Sequence, residues 1–88
     1  MKELLFFYGE GCLYCKEALK IVDSLNTEGF SIKKLEVWHN KENDNLLLSL
    51  DSGEDCCGGV PFFFNQNTNK TICGEVSYKK IKEWAEGR

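Results

Sequence analysis

Apolar residues recur along this chain in two rhythms. Leu4 to Tyr8 is an unbroken apolar run rich in aromatics, set between Lys2-Glu3 and Gly9-Glu10-Gly11. That length and composition predict a strand covered on both faces, hence a central one. From Cys12 to Glu28 the rhythm changes. Cys15, Ala18, Leu19, Val22 and Leu25 recur at helical spacing, with Lys16, Glu17, Lys20 and Asp23 opposite. Gly29 stops this helix as a C′ residue would.

Phe30, Ile32, Leu35 and Val37 mark a second strand with imperfect alternation. The polar stretch Asn40 to Asp44 caps a short helix carrying Leu46, Leu47, Leu48 and Leu50, expected to end near Gly53. Pro61 to Asn65 is a third strand. Asn65-Gln66-Asn67-Thr68-Asn69 has the composition of a hairpin turn, and Lys70 to Cys73 is the shorter returning strand. After Gly74, Ser77 is a candidate N-cap for a last helix with Tyr78, Ile81, Trp84 and Ala85 on one stripe.

The order is β-α-β-α-β-β-α. Its first strand–helix–strand unit predicts a parallel pair with a right-handed crossover. The tight Asn-rich turn predicts an antiparallel pair. The expected class is α/β, with a mixed four-stranded sheet flanked by helices. At 88 residues the chain has room for one domain, 1–88.

Composition narrows the function classes. Hydrophobic residues at 42 % supply a compact core and argue against disorder. Eleven Lys and Arg against fourteen Asp and Glu give a net charge of −3, which offers no footprint for nucleic acid or an anionic membrane. No apolar run approaches the ~18 residues of a spanning helix. The start of the chain lacks the longer apolar stretch and the cleavage site of a signal peptide. Five cysteines is an odd number, unsuited to a secreted framework of internal disulfides. The expectation is a protein of the cytoplasm or another reducing compartment, whose thiols do chemistry or bind metal.

Cys12-Leu13-Tyr14-Cys15 is a C-x-x-C where a buried strand meets a helix. Cys12 falls at the helix N-terminus, where free N–H groups and the macrodipole favour negative charge. A thiolate held there is a nucleophile near neutral pH. Cys15, one turn on, can form a disulfide with Cys12 or attack a mixed disulfide that Cys12 has formed. The plainer alternative is a pair of inert core cysteines. Lys16 is either a nearby cation or simply solvated.

Val60-Pro61 opens the third strand, a position open to proline and to either peptide isomer. Pro61 either merely ends the loop, or turns the chain so that Val60 offers its backbone to an extended partner beside Cys12. Cys56-Cys57-Gly58-Gly59 precedes it. Neighbouring cysteines bond each other only with strain. Cys56 and Cys57 are therefore incidental, or auxiliary redox thiols, or ligands of a thiolate metal site with Cys12 and Cys15. The spacing lacks the second C-x2-C of a zinc ribbon. Cys73 is expected to be a packed core thiol. His39 is expected to lie away from the motif, Trp38 and Trp84 to pack, and Tyr14 to stand exposed beside Cys12. Lys79, Lys80 and Lys82 read as a solvated helix face.

These residues resemble the thioredoxin-like superfamily, most closely its small glutaredoxin-like members. Leu4 to Tyr8 leading into Cys12-Leu13-Tyr14-Cys15-Lys16, then Gly59-Val60-Pro61-Phe62-Phe63-Phe64, then Gly74 before the last helix carry the resemblance. The Tyr-Cys-Lys ending is similar to glutaredoxins, and Gly74 to Trp84 to thioredoxins. The resemblance implies a thioredoxin-like fold of glutaredoxin size and a thiol–disulfide oxidoreductase. Cys12 is then the nucleophile, Cys15 the resolving cysteine and Pro61 the cis-proline, with Tyr14, Val60 and Pro61 contacting substrate. The implied partners are protein disulfides and a recycling reductant, either glutathione or a flavin-dependent reductase. No resident cofactor is implied, glutathione entering only as co-substrate, and a monomer is expected. Leu13 departs from the family's usual proline. Cys73-Gly74-Glu75 departs from the Gly-Gly and acidic segment through which glutaredoxins bind glutathione. A metal-binding or iron–sulfur-carrying module on Cys12, Cys15, Cys56 and Cys57 is the alternative, and a redox-inert adaptor the third reading.

Overall fold

Strands β1 (Leu4–Tyr8), β2 (Ile32–Glu36), β3 (Phe62–Asn65) and β4 (Thr71–Cys73) and helices α1 (Leu13–Thr27), α2 (Lys41–Leu50) and α3 (Tyr78–Glu86) build the computed structural model. It describes residues 3–51, 59–74 and 76–87. The order is the one the hydrophobic rhythm predicts.

The four strands form one mixed sheet in the order β2-β1-β3-β4. β1 runs parallel to β2, with Leu4 opposite Ile32 and Tyr8 opposite Glu36. β3 returns antiparallel to β1, with Phe6 opposite Phe63 and Phe7 opposite Phe62. β4 hairpins back, with Cys73 opposite Phe62. This register brings Tyr8, Glu36, Phe62 and Cys73 to one end of the sheet.

β1 is central and its alternate residues feed two cores, as a run covered on both faces requires. Phe6 packs with Ala18, Val22 and Leu25 of α1, with Phe63, and with Ile81 and Trp84 of α3. Leu5 and Phe7 pack on the other face with Leu35, Val37, Phe62 and Leu47 of α2. Phe6 and Phe63 stack at 4.6 Å between ring centroids, and Trp84 meets Phe63 edge-on at 5.2 Å. Such pairs contribute about 0.5–1.5 kcal/mol beyond their buried area. β2 is an edge strand, which explains its broken alternation. Lys33 and Lys34 are exposed on it, charges that discourage edge pairing.

The hairpin turn is built around Asn65, whose N–H donates to the Lys70 carbonyl and whose own carbonyl takes the Asn69 N–H. Asn69 adopts φ +62°, a left-handed conformation that asparagine tolerates. Asn40 and Ser77 cap α2 and α3 by accepting from Asn43 and Lys80 N–H.

Several expectations need correction. α2 stops at Leu50, and the expected stop at Gly53 lies outside the described residues. Of its leucines only Leu47 is buried, while Leu46 and Leu48 face outward because the helix touches the sheet along one narrow stripe. Cys73 is not a packed core thiol. It is exposed on the short edge strand β4 and is disulfide-bonded. Lys82 is not merely solvated: its ammonium pairs with Glu28 at 3.2 Å, and Tyr78 donates its hydroxyl to the same carboxylate, tying α3 to the end of α1. No helix among the described residues is long and apolar enough to cross a membrane.

Candidate functional site

β1 ends at Tyr8, and Gly9-Glu10-Gly11 turns the chain into α1. Gly11 sits at φ +98°, where any side chain is strained. The Cys12 N–H closes the turn on the Gly9 carbonyl at 3.0 Å, and the Cys15 N–H returns to the Cys12 carbonyl at 3.2 Å. Cys12 is the N-cap of α1 in an extended conformation, without a capping bond from its side chain. The residue therefore stands at the positive end of the helix dipole.

Both cysteines carry free thiols. Both residues are buried, Cys12 keeping 8 % of its surface exposed and Cys15 none. Burial pushes the Cys15 thiol up to about 12, and hydrogen bonding with Cys12 pushes the same way against a bond from the Gly9 backbone. At neutral pH Cys15 is a thiol facing Cys12.

Tyr14 and Leu13, the two residues between the cysteines, are 65 % and 74 % exposed. Tyr14 is thus placed where the sequence puts it. The Val60–Pro61 bond is cis, Pro61 is fully buried, and its carbonyl accepts the Gly74 N–H at 2.9 Å. Because Phe62 lies opposite Phe7, Val60 and Pro61 stand at the same end of the sheet as the Gly9–Cys12 turn. Cys73 and Gly74 reach that end through β4. Cys56 and Cys57, the remaining members of the alternative metal set, lie outside the described residues. Among the described residues no three His, Cys, Asp or Glu side chains converge as metal ligands.

Trp38 packs, as expected, but on the turn that precedes Cys12, and the Glu36 carboxylate ties that turn to the backbone of Trp38 and His39. The Glu36 carboxylate accepts from the N–H groups of Glu10 at 2.9 Å, Trp38 at 3.0 Å and His39 at 2.7 Å. The Trp38 indole lies on Gly9, so close that a Cβ there would stand 2.3 Å from Cδ2. Gly9 is buried as a result, although Trp38 itself stays 56 % exposed. The parallel β1–β2 pairing was the available signal, since it forces the ends of both strands together.

Chemically, the arrangement offers one cysteine at a helix N-terminus that keeps slight exposure, a second, fully buried cysteine whose thiol hydrogen-bonds with it, and the exposed side chains of Leu13 and Tyr14 between them. No protein-family model matches the chain, and no curated protein matches it.

Proposed function

We propose that this chain is a thiol–disulfide oxidoreductase of the thioredoxin-like superfamily, at glutaredoxin size. The observation that carries the reading is the Cys12–Cys15 pair, an N-cap sulfur backed by a fully buried thiol that faces it. The β-α-β-α-β-β-α order around a mixed four-stranded sheet supports it.

In the reductive direction the Cys12 thiolate attacks one sulfur of a protein disulfide. A Cys12–substrate bond forms, and the second substrate sulfur leaves as thiolate. Cys15 then attacks the Cys12 sulfur, and its proton passes to the departing sulfur. The thiolate released first takes a proton from solvent, so the substrate leaves as a dithiol and two electrons' worth of oxidation remains as the Cys12–Cys15 disulfide. Glutathione or a flavin-dependent reductase returns the pair to the dithiol. The raised Cys15 thiol leaves Cys12 as the attacking sulfur of the first step, because a protonated sulfur is a poor nucleophile. The Val60 main chain, next to Pro61, receives the substrate as an extended strand, and Tyr14 contacts it.

Cys12→Ser tests the assignment. It is expected to reduce insulin disulfides no faster than background while its circular dichroism stays unchanged; retained activity refutes the role. Cys15→Ser is expected to accumulate Cys12 mixed disulfides with a protein substrate. Trapping of glutathione alone would remove the protein-reductase reading.

A further inference from the structure

Glu36 and Trp38 form a corner that grips the turn before Cys12 from the end of β2. The Glu36 carboxylate binds the Glu10 N–H and, with its other contacts, the N–H groups of Trp38 and His39. That fan of bonds fixes the strand end from which the Trp38 indole reaches across to Gly9 and, at 3.9 Å from a Cβ position, Gly11. Gly9 in turn holds both sulfurs' residues. Its carbonyl takes the Cys12 N–H, and its backbone bonds the Cys15 thiol. Trp38 lies at the motif end of the sheet, whereas Trp84 lies at the other end, its carbonyl accepting from Asn65, which pairs with Leu4.

We propose that Trp38 and Glu36 are positioning residues of the dithiol, clamping the Gly9–Gly11 turn so that Cys12 is held within bonding reach of Cys15. The inference rests on the redox reading above. A disulfide between two protein thiols is favoured in proportion to how well they are pre-aligned, which is an effective concentration. Releasing the turn lowers that concentration and weakens the Cys12–Cys15 bond relative to the open dithiol.

The test is equilibration of the full chain with mixtures of reduced and oxidised glutathione. One oxidised glutathione takes up two electrons and two protons as the dithiol becomes a disulfide, and two reduced glutathiones form. Alkylation and peptide mass mapping count the Cys12–Cys15 disulfide separately from the other cysteines. Trp38→Ala is expected to lower the equilibrium constant about tenfold, which raises the midpoint potential by about 30 mV. Glu36→Gln, which loses charge and one acceptor oxygen, is expected to lower it by less. Trp38→Phe keeps a flat ring over Gly9 and is expected to restore most of the wild-type constant. A merely structural role would move the urea midpoint and leave this constant alone. If the wild-type chain forms no Cys12–Cys15 disulfide, the redox reading fails and takes the inference with it. If the wild type forms it and the Trp38→Ala constant is unchanged or raised, the positioning role alone is overturned.

Discussion

The side chain of Asn65 joins the sheet to the last helix, donating its amide N–H to the Trp84 carbonyl at 2.9 Å from a site almost without solvent contact. Its Oδ1 accepts the Asn67 N–H at 2.8 Å, so one buried amide serves both the hairpin turn and α3. Asn65→Leu removes donor and acceptor together and is expected to cost about 1–3 kcal/mol in urea unfolding. Asn65→Asp is expected to cost more at neutral pH, because a carboxylate oxygen then faces the Trp84 carbonyl, and to regain part of the loss in acid. An Asp variant as stable as wild type would show that this amide does not join the two elements.

Trp38 and Gly9 should be energetically coupled. Gly9→Ala drives a methyl into the indole and is expected to cost about 1–3 kcal/mol. Trp38→Ala first removes the obstacle, so Gly9→Ala should then cost much less. A double-mutant cycle by urea unfolding reads the coupling, and simple additivity would contradict the contact.

Cys15 makes the reduced protein alkali-sensitive. Its thiol lies near 9.0 in its ordinary state and is pushed up to about 12 by burial and by Cys12. Between those values the folded chain holds a proton that the unfolded chain has lost. The contribution is complete below the unfolded value and falls as pH rises toward the folded one, by at most about 1.4 kcal/mol per pH unit. Urea midpoints of reduced wild type and Cys15→Ser should therefore converge or cross above pH ~9. A constant gap across that range would contradict the burial of this thiol as the cause.

Glu36 gives the opposite sign in acid. Burial opposes its charge, but the N–H groups of Glu10, His39 and Trp38, with the His39 ring, outweigh it and hold the carboxyl below its ordinary 4.5. The stabilisation is present above that value and is lost as pH falls through the lower folded one. The stability gap between wild type and Glu36→Gln should close as pH is lowered from about 7 to about 3. Nuclear magnetic resonance titration of the Glu36 carboxyl gives the same test directly, and an unshifted or raised midpoint would contradict the fan of amides.

Elements whose signal is local were legible in the chain. The apolar run Leu4–Tyr8, the Cys15-Ala18-Val22-Leu25 stripe and the Asn-rich turn each carry their own periodicity or turn chemistry, and each appears in place. Leu46 and Leu48 were harder, since a run of leucines does not say which of them meets the sheet.

The chain by itself determined the order of elements, the two-faced burial of β1 and the placing of a C-x-x-C at a helix N-cap, because each follows from side-chain chemistry within a few residues. Only the tertiary structure decided that Glu36 and Trp38 grip the turn before that motif, that Cys73 lies exposed and bonded on an edge strand, and that Cys15 is the more deeply buried of the two motif cysteines. Those facts depend on strand register and on which element covers which. They join residues tens of positions apart, and local periodicity carries no record of such neighbours.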